Sequence, residues 1–245
     1  MASRMFRHLA PIIAATVCLL FSGGLRAASY EVAGRSVAVE LPPEYCAVDE
    51  GIRAERELHE VIQQINAGMN RVLVVFVDCR ELLSWRRGEI DALTRYGQVL
   101  TPARETVFGD LHMSAFLGEL RKVMDEAFAA GLQDGRSRAL AVVPDLEVGE
   151  VRSLGVLAQD ETAIYAGMAE LLERGGGRLV MAGVVSMTLV NHVAVSVNLY
   201  RPYRDPASVE ALLAEQKRFV RELLRRNVAQ QSRRPAPPPD QADPS

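Results

Sequence analysis

Two cysteines, Cys46 and Cys79, carry the most readily stated chemistry in this chain. A third, Cys18, lies in an apolar run near the amino terminus. Cys46 and Cys79 stand 33 positions apart, with no CxxC and no flanking His, which argues against a metal pair. In an exported chain an even count implies one disulfide. Closing a loop of that length would stabilise the fold by roughly 3–4 kcal/mol in the chain-entropy model. Two separate thiols are the alternative. As a nucleophile Cys79 is poorly placed, because Asp78 beside it opposes a thiolate.

The other chemistry-bearing residues make no known constellation. His59 has Glu55 one turn before it, but Gln63 stands where a metalloprotease helix needs its second His. Asp110 and His112 sit at an expected helix start, where Asp is a natural cap. His192 falls in an expected hairpin turn. Ser186 lies in GVVSM inside an expected strand and makes no GxSxG elbow. Gly175-Gly176-Gly177, between Arg174 and Arg178, lacks the Lys-Ser/Thr of a phosphate loop and leads into a strand; it reads as a hairpin turn. Asp160 and Glu161 are adjacent, so in a strand their side chains would point apart. Trp85 with Arg86 and Arg87 reads as an anchor for a short helix. No residue set stands out as a cofactor or metal site.

The elements that would position these residues begin after a leader. Arg4, Arg7 and His8 precede the apolar run Leu9 to Phe21, followed by SGGLRA, the order of a secretory signal peptide over residues 1–27. The run is short of the roughly 20 residues a membrane span needs. Removing it lowers Lys plus Arg from 28 to 25 against 31 acids, a net charge of about −6, which gives no general attraction for nucleic acid. Residues 28–228 read as a single α/β domain, and 229–245, with five prolines, as a disordered tail.

Tyr30 to Leu41 reads as a hairpin about Gly34-Arg35, stopped by Pro42-Pro43. The spacing predicts a helix over 52–69, with Leu58, Ile62 and Ile65 inward and Glu55, Arg56, Glu57 and Glu60 outward. Residues 72–77, VLVVFV, read as a strand covered on both faces. A short helix over 81–87 and a strand over 96–101 follow. A long helix is expected over 111–132, with Phe116, Leu120, Val123, Phe128 and Leu132 inward and Gly131 and Gly135 closing it. Ala139 to Val143 fits a helix end or a short strand. From Val151 the runs VRSLGVLAQ, AIYAGMAELLE, RLVMAGVVSMTLV and VAVSVNLY, parted by short turn signals, predict a four-stranded meander with the third run central. A terminal helix has Asp205 as N-cap, Pro206 at its first position and a stripe from Val209 to Leu224. Its late basic residues complement the helix dipole. The fold class is thus α/β of the α+β type: a mainly antiparallel sheet with a C-terminal four-stranded meander and helices packed on it.

The opening hairpin and its proline-marked loop (VAGRSVAVELPPEY), with the last strand and helix (VSVNLYRPYRDPASVEALLAEQKRFVRELL), resemble the α/β/α sandwich of the PsbP/Mog1 type. That resemblance implies a scaffold for binding or accessory work in the bacterial envelope and transfers no functional residues. The expectation is a periplasmic or secreted protein that is not an enzyme. It would bind an envelope protein or a small ligand, without nucleic acid, cofactor, or a transmembrane span in the mature chain. A hydrolase with a site assembled from scattered residues is the alternative.

Overall fold

The computed structural model of the protein describes residues 28–104, 107–109, 111–143, 147–174 and 177–232. The leader, Asp110, Gly175-Gly176 and the chain after Ser232 lie outside the described residues. Among the described residues nine strands and four helices follow one another: β1 (Ala28–Val32), β2 (Arg35–Val39), β3 (Tyr45–Ala47), α1 (Arg53–Asn66), β4 (Asn70–Asp78), α2 (Cys79–Arg86), β5 (Tyr96–Pro102), α3 (Met113–Val142), β6 (Glu147–Gln159), β7 (Ile164–Arg174), β8 (Gly177–Val190), β9 (Val193–Pro202) and α4 (Pro206–Ser232).

β1 and β2 form a separate hairpin; the other strands make a seven-stranded sheet in the order β3-β4-β5-β9-β8-β7-β6. All pairings are antiparallel. The meander β6–β9 is as the run-and-turn pattern predicts. Its turn at Asn191-His192 has φ of 52° and 66°, the double left-handed geometry that twists a two-residue hairpin correctly. The centre of the sheet is β9 and not the almost wholly apolar β8, because β5 pairs with the free edge of β9 and extends the sheet beyond it. The first hairpin turns at Ala33-Gly34, with φ of 48° and 73°, one residue earlier than expected.

Side-chain alternation along β9 divides the molecule. Val193, Val195, Val197 and Leu199 join the main core under α4, with Leu212, Phe219, Val220 and Leu223. Each such buried side chain contributes about 1.5–3 kcal/mol. Asp205 caps α4 by accepting from the Ser208 N–H at 2.9 Å. Near its other end Asn227 holds β2, accepting from the Ala38 N–H at 2.9 Å and donating to the Ala38 carbonyl at 2.8 Å. The helix continues through residues 229–232, so the sequence expected to begin the disordered tail starts as helix.

The opposite face of the sheet lies under α1 and α3. α3 runs 30 residues, straight through Gly131 and Gly135, which were expected to end it, and includes Ala139 to Val142. Its length follows from its anchors. Asp125 accepts from the Val156 N–H at 3.0 Å, Gln133 donates to the Val151 carbonyl at 3.2 Å, and Arg136 donates to that of Gly149 at 2.7 Å. Side chains of α3 thereby take up backbone groups that the sheet's edge strand would otherwise present to solvent. Arg138 reaches the Ala67 carbonyl at the end of α1, at 2.5 Å. Val143 then leaves the helical conformation, with φ −124° and ψ 85°. Val123 is exposed, contrary to expectation, and Leu117 and Met124 are buried in its place.

In α1 the outward assignment of Glu55 is also corrected. Glu55 is fully buried, paired with Arg86 of α2 at 2.6 Å and accepting from the Asp49 N–H at 2.8 Å. A buried carboxylate needs such partners, and a polarity pattern cannot reveal that a later arginine supplies them.

Candidate functional site

Between the sheet and the two helices α1 and α3 lies a cavity of about 540 Å³. That size suits a small ligand. β5, β7, β8 and β9 supply the floor; Ile62, Ile65 and Asn66 of α1 and one side of α3 supply the roof. The cavity persists because the helix surface above it carries little bulk. Gly131 and Gly135 both line it, and a Cβ added at either would meet nothing within 4 Å.

The walls are mainly apolar, with Met124, Met168, Met187, Phe128 and Leu132 among them. Unbranched methionine side chains adapt readily to a ligand's shape. A line of neutral polar groups runs from the roof at Asn66 onto the floor. Asn66 donates to the Ile62 carbonyl at 2.9 Å and to Gln98 Oε1 at 3.3 Å. Asn70 donates to Asn66 Oδ1 at 3.4 Å, and Ser196 to Asn198 Oδ1 at 2.7 Å. The side chains of Gln98 and Asn198 line the cavity together with Tyr200.

At the other side of the floor stand two stacked rings and one acid. Tyr96 and Tyr200 are neighbours across β5 and β9, their centroids 4.9 Å apart and their planes at 24°. The Tyr200 ring lies over Gly183 of β8, where an added Cβ would come within 2.9 Å of it. Glycine there lets the ring reach across β8 towards β7, the strand that carries Glu170. Burial pushes the Tyr200 hydroxyl up to about 12, and the Glu170 charge adds to the rise. Tyr96 is raised by burial, then by Tyr200 and Glu170. Glu170 is itself raised by burial, against a smaller opposing pull from Arg136. Among the described residues its carboxylate has no hydrogen-bond or ion-pair partner.

A smaller hollow, about 310 Å³, opens beside α4 between Leu41-Pro42-Pro43 and Glu215, Arg218 and Phe219. Its buried acid is already engaged. Tyr45 donates to Glu215 Oε1 at 2.6 Å, and Arg201 pairs with the other oxygen. This cluster ties β3, β9 and α4 together.

The residues singled out in the sequence mostly prove structural. Cys46 and Cys79 form a disulfide, with Cα atoms 5.0 Å apart. It joins β3 to the start of α2, where Asp78 caps the helix through the N–H groups of Arg80 and Glu81. His59 is buried beside Glu50, its Nδ1 3.2 Å from the carboxylate. His192 forms a turn, and His112 is the N-terminal flanking residue of α3. Ser186 is buried on the α4 face, bonded to Gln216 at 2.7 Å. Asp160 closes its turn by accepting from the Thr162 and Ala163 N–H groups. No group of three or more His, Cys, Asp or Glu suited to a metal occurs among the described residues.

Glu170, Gln98, Ser196, Asn198 and the tyrosine pair were not singled out in the sequence, although a signal was present. VAVSVNLY alternates strictly, with Ser196, Asn198 and Tyr200 opposite the valines. Polar residues at alternate positions of a strand read as solvent-facing when the strand covers a core on one side. They become cavity-facing once that strand is central and helices cover both faces. No protein-family model matches this chain, and no curated protein matches it.

Proposed function

We propose that this is an exported, non-enzymatic protein of the cell envelope, which binds a small ligand with an apolar body in the cavity beneath α1 and α3. The cavity itself carries the reading: roomy, mainly apolar, and crossed by a few fixed polar groups, as small-molecule sites are. The leader-like amino terminus and the Cys46–Cys79 bridge support an oxidising compartment outside the cytoplasm. No helix of the described residues is long and apolar enough to cross a membrane. The resemblance to PsbP/Mog1-type sandwiches fits accessory binding work. Among the described residues Glu170 is the one carboxylate in the lining, and neither His nor Cys lines it, which favours holding a ligand over transforming one.

Native mass spectrometry of protein purified from envelope extract, with thermal shifts across small amphiphiles, tests this. A retained or added small molecule should raise the melting temperature. Gly131→Leu, which projects a side chain into the open space, should abolish that rise while leaving the fold intact. Clean negatives with the unaltered protein in both assays would remove the reading.

A further inference from the structure

The charge at one end of the cavity identifies the class of ligand, given that the cavity is a ligand site. Among the described residues two charged side chains line it, Glu170 and Arg136, and they differ in what they have left to offer. Arg136 spends its Nε–H on the Gly149 carbonyl, where it fastens α3 to the sheet edge. Glu170 spends nothing: neither oxygen has a hydrogen-bond or ion-pair partner among the described residues. A half-buried carboxylate in that condition gains most from a donor that carries positive charge.

The surroundings suit a cation in two further ways. The stacked Tyr96 and Tyr200 rings lie near enough for the Glu170 charge to perturb both hydroxyls. Aromatic faces attract an ammonium placed within about 6 Å of the ring centre. Beyond the rings the lining turns apolar: Val151 and Met168 form one cluster with Phe128, Leu132, Leu172 and Tyr200. A charged end beside Glu170 would therefore continue into a hydrocarbon-lined space. The neutral amides of Gln98 and Asn198 also line the cavity and add no charge.

We propose that the cavity takes a cationic amphiphile, an amine whose ammonium is met by Glu170 beside the Tyr96–Tyr200 pair and whose apolar body lies along Met168, Phe128 and Leu132. A fatty acid of the same length is disfavoured, because its carboxylate would face Glu170 where it would need a donor.

Three probes of equal chain length separate the possibilities: n-octylamine, n-octanol and octanoate, titrated by calorimetry at pH 7 into the full mature protein. The charge-assisted bond predicts octylammonium about tenfold tighter than octanol, with octanoate weakest. Glu170→Gln should bring octylamine to within about threefold of octanol and leave octanol itself unchanged. Gly131→Leu should weaken all three probes. If octanol binds as tightly as octylamine, or Glu170→Gln leaves the preference intact, the cationic class is overturned while the cavity stands. If none of the three binds, the cavity reading falls and takes this inference with it.

Discussion

The two faces of the central sheet receive side chains from the same strands and are finished differently. Beneath α4, the valines of β9 meet Leu212, Phe219, Val220 and Leu223, and Phe76 packs edge-on against Phe219 with centroids 5.6 Å apart. Several polar groups entering that face bond to fixed protein atoms: Gln216 donates to Ser186 and to the Val197 carbonyl, and Asn227 holds both backbone groups of Ala38, although Gln216 Oε1 and the Tyr165 hydroxyl are buried there without a hydrogen-bond partner among the described residues. Beneath α1 and α3, the alternate residues of β9 are Ser196, Asn198 and Tyr200, glycines replace bulk on the helix above, and a cavity remains. One face spends its area on stability. The other holds open a space that close packing would have filled, and it is this space that the proposed ligand would occupy.

Truncating a side chain on each face would break that comparison most directly. Phe219→Ala should destabilise by about 3–5 kcal/mol, because a well-packed site collapses poorly around the gap. Phe128→Ala, at the rim of an existing cavity, should lose only about 1–2 kcal/mol. Equal losses in urea denaturation would mean that the two faces are packed alike. Next in size is the disulfide. Replacing Cys46 and Cys79 together by Ala should lower stability by roughly 3–4 kcal/mol, and intact mass with alkylation should show no free thiol in exported wild-type protein. Two alkylated thiols would refute the bridge. Asn227→Ala should cost about 1–3 kcal/mol by leaving the Ala38 N–H and carbonyl without partners. Exchange of the Ala38 amide should accelerate; unchanged protection there would sink the assigned clamp.

Much of the α4 face was legible in the sequence and little of the cavity was. Asp205-Pro206, the stripe from Val209 to Leu224 and the meander turns at Asp160-Glu161 and Asn191-His192 are local signals, and each reappears in place. The disulfide followed from number and compartment, and its geometry is local to β3 and α2. What failed were conclusions that depend on distant partners. Gly131 and Gly135 read as a helix end, yet hydrogen bonds to β6, laid down later in the chain, carry α3 through them. Glu55 read as solvated because Arg86 was not yet beside it. β8 read as central because β5 is separated from β9 by the whole of α3, β6, β7 and β8. Glu170 sits in an apolar strand as an ordinary exception until the helices cover that face.

A smaller effect sharpens the picture of α3. Gly135→Ala should stabilise the unliganded protein by up to about 1 kcal/mol, since alanine gains helix propensity and its methyl enters open space. Gly183→Ala must do the reverse, because its Cβ would strike Met168 and the Tyr200 ring within 2.9 Å. If both substitutions shift the melting temperature in the same direction, the cavity is not where these side chains place it.

The subtlest expected change is one of slope. Glu170 has its pKa raised by burial, so the folded state holds a proton that the unfolded state releases. Stability then falls as pH rises from the usual carboxylate range up to the raised value, and the penalty is fully present above it. Arg136 opposes that rise, and Tyr96 and Tyr200 stay protonated throughout the interval. Glu170→Gln removes the titrating group and keeps the shape. Without ligand, the variant should match the wild type below the usual carboxylate range and exceed it near pH 7. The difference between the two urea midpoints should open within that window and stay constant beyond it. Midpoints that remain parallel from pH 4 to pH 7 would mean that Glu170 is either solvated or already paired. On the α4 face no such slope is expected from Gln216→Met, because that side chain carries no titrating group; a pH-dependent difference confined to Glu170 would mark the cavity as the face on which an unmet charge is kept.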